Sequence, residues 1–274
     1  MRGRVLVVAG SDSGGGAGIQ ADIKTITALD GYAMTAVTAL TAQNTEGVVA
    51  VHEAPPILVA EQIRVTLADI GADAVKTGML AGVPIIEAVA EALDSWAGDA
   101  PRVVDPVMVA KGGHRLLADD AVEALKSRLV AGAALVTPNV PEAEALAGGT
   151  ITTAADMEAA ARTIMDAGAE AVLVTGGHLE GDTVTDLLVT GDGAERLDGP
   201  RIKTRHVHGT GCTLASAAAC GLAQGMGLGD AVVRARAYVA EAIRAAPGFG
   251  AGHGPLNHAH TVKPFKGGSG RKGR

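Results

Sequence analysis

Short apolar, β-branched runs alternate along this chain with longer segments of helical spacing. The apolar runs repeatedly stop at glycine, aspartate or a Thr-Pro pair. Val5–Ala9, Tyr32–Thr41, Ala74–Lys76, Arg102–Val104, Ala134–Val136 and Ala171–Val174 read as strands. Ala17–Leu29, Ile57–Ile70, Val83–Trp96, Ala118–Val130 and Met157–Ala167 read as the intervening helices. Thr183–Thr190 and Arg201–Val207 read as later strands, and helices at Cys212–Gln224 and Gly229–Ala245 close the chain. Parallel strands need crossover helices, and those helices cover the sheet. The predicted fold is therefore a three-layer αβα sandwich with a mostly parallel central sheet. No repeat or long linker divides the pattern, so residues 1–262 are expected to form one domain. Residues 263–274 form a basic tail, predicted to be disordered.

The core must be built without bulk. Hydrophobic residues make up 47% of the chain, but aromatics only 2%. Alanine, valine, leucine and isoleucine fill it, and small side chains permit close helix–sheet contact. The net charge of −7 argues against a nucleic-acid surface, which needs clustered Lys and Arg. Arg2 and Arg4 precede an apolar run too short for a signal peptide. No run reaches the roughly 18 apolar residues of a membrane span. Cys212 and Cys220 would stand about 12 Å apart on one helix, beyond the roughly 7 Å limit for a disulfide. A reducing, cytoplasmic setting is expected.

The polar motifs gather where the strands end. Ligands of open α/β sheets bind beyond the carboxyl ends of the strands. Gly10–Gly18, Asp105-Pro106, Thr137-Pro138-Asn139 ahead of Glu142, and Thr175-Gly176-Gly177-His178 all fall there. His208-Gly209-Thr210-Gly211-Cys212-Thr213 runs directly into a small-residue helix. Unpaired N–H groups and the positive dipole end of that helix suit a phosphate, and the same position favours a thiolate at Cys212. An anion cradle holding an ionisable side chain suggests phosphoryl transfer. Asp105 and Glu142 are candidate Mg²⁺ anchors, since Mg²⁺ takes one or two carboxylates plus water and phosphate oxygens. Gly16-Ala17-Gly18-Ile19-Gln20-Ala21 fits only the loose dinucleotide pattern, and no G-x-x-x-x-G-K-[ST] loop exists. The eight histidines show no H-E-x-x-H spacing; His253, His258 and His260 read as surface residues.

Several of these motifs recur in order in a known family. Ala9-Gly10-Ser11-Asp12-Ser13-Gly14-Gly15-Gly16-Ala17-Gly18-Ile19-Gln20-Ala21-Asp22, Thr41-Ala42-Gln43-Asn44-Thr45, Lys76-Thr77-Gly78-Met79-Leu80, Asp105-Pro106-Val107-Met108, Thr137-Pro138-Asn139 and the His208–Thr213 motif resemble hydroxymethylpyrimidine/phosphomethylpyrimidine kinase, a thiamine-biosynthetic enzyme of ribokinase-like fold. The resemblance spans about residues 4–246. It implies ATP-dependent phosphorylation of 4-amino-5-hydroxymethyl-2-methylpyrimidine, then of its monophosphate. Cys212 would accept or orient the substrate hydroxyl proton, and the N–H groups of Gly209, Thr210, Gly211 and Cys212 would form the anion hole. The pyrimidine would lie near Gly10, Asp22, Gln43, Met79 and Val107. The ATP phosphates would lie near Asn139, Thr175, Gly176 and Thr210.

Asp105 and Glu142 match positions that support Mg²⁺. Arg236 stands where relatives often carry lysine, as does Thr175 in some relatives. A monovalent cation and a homodimer are further expectations. Lys111-Gly112-Gly113-His114 reads as a flap or as a plain loop. Related chains with the same Gly-Cys motif phosphorylate pyridoxal, which is the nearest rival reading; the Gln43 amide favours the pyrimidine. A non-catalytic pyrimidine sensor is disfavoured, because cradle, cysteine and carboxylates are all present and no output domain is visible.

Overall fold

The computed structural model describes residues 1–265, apart from 110–112, 114, 115, 118 and 119. The expected flap at Lys111, Gly112 and His114 and the basic tail from Lys266 lie outside the described residues. The chain runs β1 (Arg4–Ser11), α1 (Gly18–Ala28), β2 (Tyr32–Gln43), β3 (Val48–Glu53), α2 (Pro56–Asp69), β4 (Ala74–Thr77), α3 (Val83–Trp96) and β5 (Arg102–Val104). It continues with α4 (Ala121–Leu125), which passes into a π-helical turn (Lys126–Val130), β6 (Leu135–Val136), α5 (Val140–Ala147), α6 (Ala154–Asp166) and β7 (Val172–Val174). The last elements are β8 (Thr183–Thr190), β9 (Gly193–Pro200), α7 (Thr210–Ala223) and α8 (Leu228–Arg244).

The strands form one 9-stranded sheet in the order β3-β2-β1-β4-β5-β6-β7-β8-β9. Every neighbouring pair from β2 through β7 is parallel. The margins β3, β8 and β9 are antiparallel. Alternate residues of β1 serve opposite layers. Leu6 and Val8 face the core shared with α2 and α3, and Val5, Val7 and Ala9 face the one shared with α1, α7 and α8. The chain leaves β1 toward β2 and returns on the other side of β1 as β4, so a crevice opens at the carboxyl ends of β1 and β4.

The structure relocates one expected strand. Arg201–Val207 is irregular, and the strand is Gly193–Pro200. The two-residue Gly191-Asp192 turn closes a hairpin in register from Thr190↔Gly193 to Thr183↔Pro200. Of its eight residues only Leu197 is buried, so β9 lacks the apolar pattern that marks the inner strands; charge on an edge strand also discourages pairing with other chains. The structure adds two further elements, β3 and α5. β3 folds back through Asn44, whose Oδ1 accepts from Glu46 and Gly47 N–H, and α5 starts on a capping box between Asn139 and Glu142.

Helices α7 and α8 pack closely because their facing residues are small. A Cβ at Gly221 would stand 2.7 Å from Ala231 Cβ. Gly221→Val is expected to force the helices apart and to cost about 1–3 kcal/mol in urea unfolding, as overpacked cores do. Wild-type stability in that variant would contradict this packing.

Candidate active site

A cleft of about 790 Å³ lies over the carboxyl ends of the parallel strands. Its floor begins with the glycine loop after β1, and Asp12 organises that loop. Oδ1 accepts from Gly14 N–H at 2.8 Å; Oδ2 accepts from Gly16 N–H at 3.0 Å and Ala17 N–H at 2.8 Å. His208 Nε2 donates to the same Oδ2 at 2.8 Å. Burial opposes ionisation of Asp12, but His208 and the loop N–H groups outweigh it and hold the carboxyl below its usual range. Asp12 thereby ties the first loop to the turn that precedes α7.

That turn needs glycine at one point above all. Gly209 has φ +85, and a Cβ there would sit 1.8 Å from Gly16 O. Its left-handed conformation opens α7, and its carbonyl accepts from Thr213 N–H at 2.9 Å. Among the described residues the N–H groups of Gly209, Gly211 and Cys212 meet no hydrogen-bond partner. With the helix dipole behind them, such N–H groups can receive an anion. Thr210 departs from the expected set, because its N–H and its hydroxyl both turn to Val207 O, at 3.4 and 2.7 Å.

Beneath the hole lies a buried charge cluster that no single motif announces. Lys76 on β4 and Asp22 on α1 both have 0% exposure. Lys76 Nζ is 3.1 Å from Asp22 Oδ1 and 3.5 Å from Asp105 Oδ2. Ser216 of α7 donates to Asp22 Oδ1 at 2.7 Å. Burial opposes the charge on Lys76, but Asp22, Cys212 and Asp105 outweigh it and keep the ammonium protonated. Asp22 therefore sits under the cleft with its carboxylate committed to Lys76 and Ser216, and it does not present a wall to a pyrimidine as expected. The expected thiolate is corrected too. Burial first, then Asp105 and Asp22, push the Cys212 thiol up, against the opposing pull of Lys76 and the Gly18 N–H. The net direction at Cys212 favours the thiol over the thiolate.

Asp105 and Glu142 both line the cleft. Burial raises the Asp105 carboxyl, and Asp105 Oδ2 has no hydrogen-bond partner. Burial and the neighbouring Asp105 push Glu142 up to about 8. Glu142 Oε2 also accepts from Asn139 N–H at 2.9 Å, so the same side chain caps α5. Two crowded, buried, hard-oxygen donors suit a hydrated Mg²⁺ that takes its other ligands from phosphate. Among the described residues no larger acidic, His or Cys group could hold a metal.

Gly10, Gln43, Met79, Val107, Asn139, Thr175 and Arg236 all line the cleft. Gln43 Oε1 accepts from Thr41 Oγ1 at 3.2 Å, and its Nε2 lies 3.5 Å from His208 Nε2. Since the His208 proton goes to Asp12, the Gln43 amide keeps donor capacity for a ligand. Gly176 falls behind the wall: its N–H donates to Asp186 Oδ1 at 2.9 Å, and Gly177 lines the cleft in its place. Arg236 Nε donates to Asp186 Oδ2 at 2.8 Å and Nη2 donates to Leu197 O at 2.6 Å, which uses two of its five N–H donors. His258, expected at the surface, is buried.

A parallel sheet with an anion hole, an adjacent thiol and paired carboxylates at its switch point defines a small-molecule kinase of ribokinase-like architecture. Residues 12–257 match the phosphomethylpyrimidine kinase family. The chain is 50% identical over 259 residues to the hydroxymethylpyrimidine/phosphomethylpyrimidine kinase of Streptomyces coelicolor, covering 94% of this chain and 95% of that one. It is 52% identical over 257 residues to the thiamine biosynthesis bifunctional protein ThiED of Geobacter sulfurreducens, covering 94% of this chain but only 52% of that longer protein. The ADP complex of Bacillus subtilis pyridoxal kinase superposes with a TM-score of 0.88 at 36% identity, over 94% of this chain and 98% of that one. The chain belongs to the phosphomethylpyrimidine kinase family.

Lys76→Met removes the counter-charge from two buried carboxylates. It is expected to cost about 3–5 kcal/mol in urea unfolding. Adding Asp22→Asn should recover part of the loss, and an unchanged or worsened double variant would contradict the pairing.

Proposed function

We propose that this kinase transfers a phosphoryl group from ATP to the hydroxymethyl oxygen of 4-amino-5-hydroxymethyl-2-methylpyrimidine. A second ATP then phosphorylates that monophosphate to the diphosphate used in thiamine synthesis. The observation that carries the reading is the set of N–H groups at Gly209, Gly211 and Cys212, open to the same cleft as the Gln43 amide. The names of the Streptomyces and Geobacter relatives support the substrate and the pathway.

The pyrimidine lies between Met79 and Val107, with its polar edge on Gln43, whose amide offers both donor and acceptor. Its hydroxyl reaches Cys212. The acceptor O–P bond forms as the β–γ P–O bond of ATP breaks, and ADP leaves. The transition state is loose, so charge stabilisation by the hole outweighs base strength. Cys212 Sγ takes the hydroxyl proton late, as its own thiol proton passes to solvent in the cleft that it lines. Asp105 and Glu142 would hold Mg²⁺, which neutralises phosphate charge when bound. Asn139 and Thr175 face the nucleotide phosphates. A monovalent-cation requirement is read from turnover with and without potassium. A homodimer belongs to the same proposal, with Leu40 and Val49 exposing apolar side chains on β2 and β3. We place the protein in the cytoplasm; no described helix is long and apolar enough to cross a membrane.

A second reading, pyridoxal phosphorylation, is favoured by the close superposition on the Bacillus pyridoxal kinase. Both substrates are hydroxymethyl heteroaromatics, and competition between them decides.

Cys212→Ala separates the two steps. The second acceptor is an anionic phosphate with no proton to lose. The variant should lose on the order of 100-fold in kcat for the first step, as removal of a proton acceptor does, and about tenfold or less for the second. Equal losses in both steps would show that Cys212 shapes the site without handling a proton.

A further inference from the structure

The segment after α8 returns to the loop after β2 and to the turn before α7. Gly252 N–H donates to Thr45 Oγ1 at 3.2 Å and His253 N–H donates to Thr45 O at 2.7 Å. His208 N–H donates to Gly254 O at 3.2 Å. Tyr238 of α8 donates its hydroxyl to His258 O at 2.5 Å. These bonds seat His258, with 4% exposure, against the first turn of α7.

His258 Nε2 lies 3.0 Å from Thr213 Oγ1. The Thr213 hydroxyl has one proton, which it gives to Gly209 O at 2.7 Å. The imidazole is therefore the donor, and its hydrogen sits on Nε2. Burial, together with Lys24, His260 and His208, pushes the ring down to about 4, so it is neutral at pH 7. Gly209 O receives both the N–H and the hydroxyl of Thr213. Gly209 is also the residue whose left-handed turn aims the anion hole.

We propose that His258 is a positioning residue for phosphoryl transfer: through Thr213 it fixes Gly209, and with it the aim of the hole's N–H groups. The inference rests on the kinase reading of the cleft. His258 touches no reacting atom. It acts on a hole that must be held within about 0.5 Å of its productive geometry. Both phosphorylations use that hole, so His258 differs from Cys212 in acting on both alike.

The test compares wild type, His258→Ala and His258→Gln in the full chain. In His258→Ala, kcat for both steps should fall on the order of tenfold, less than the roughly 100-fold loss when a hole donor itself is removed. KM for the pyrimidine should stay within about twofold, because ground-state binding is untouched. His258→Gln places an amide N–H toward Thr213 and should restore most of the rate. Nitrogen NMR of labelled histidine supplies a readout that needs no substrate: the ring proton should lie on Nε2, and its signal should move in Thr213→Val. An inert wild type would sink the pyrimidine-kinase reading while leaving the NMR result to judge the positioning bond. A proton on Nδ1, a His258→Ala variant with unchanged kcat and a lowered melting point, or no rescue by glutamine would overturn the proposal. If the alanine variant does not fold, the glutamine variant and the NMR signal decide.

Discussion

One buried ammonium holds the floor of the cleft together. Lys76 Nζ lies between the carboxylates of Asp22 and Asp105, which come from different elements, and Ser216 of α7 completes the Asp22 shell. A lone buried carboxylate or a lone buried lysine would be driven to its neutral form. Burial raises Asp22 and Asp105 while Lys76 pulls both back, and the three fix α1, β4, the end of β5 and α7 to one point. The anion hole is built on the helix so anchored. Asp105 is held from below by Lys76 and turned toward the cleft beside Gly211.

The same cluster sets the state of the reactive side chain. Helix termini favour thiolates, yet burial and the carboxylates of Asp105 and Asp22 push the Cys212 thiol up. The protein therefore does not rely on a strong base. Its resources are directional: N–H groups aimed by Gly209, a loop gathered around Asp12, and the neighbouring carboxyls of Asp105 and Glu142. Such an arrangement suits a loose transition state, where the charge to be stabilised is spread over phosphoryl oxygens.

Much of this was legible in the sequence, and the exceptions share a cause. Apolar runs ending in polar motifs gave away the sheet, its carboxyl edge, the cradle at Gly209–Thr213 and the paired Asp105 and Glu142. Local pattern carried each of these. Lys76 was hidden because one lysine in Ala74-Val75-Lys76-Thr77 shows nothing of the partners it meets on α1 and beyond β5. Asp22 was misplaced for the same reason, since its partner is distant in sequence. The Cys212 thiolate failed because helix-end chemistry is local and desolvation is not. Strand β9 escaped because its residues are mostly polar, and His258 because glycines surround it in sequence while Thr213 and Tyr238 surround it in space.

The most direct test is ADP release from Mg-ATP with hydroxymethylpyrimidine, its monophosphate and pyridoxal offered separately, with product masses confirmed. Turnover of both pyrimidines to the mono- and diphosphate is the predicted result. Turnover of pyridoxal alone, or of none of the three, would contradict the account, because the Gln43 edge and the anion hole would then serve another acceptor.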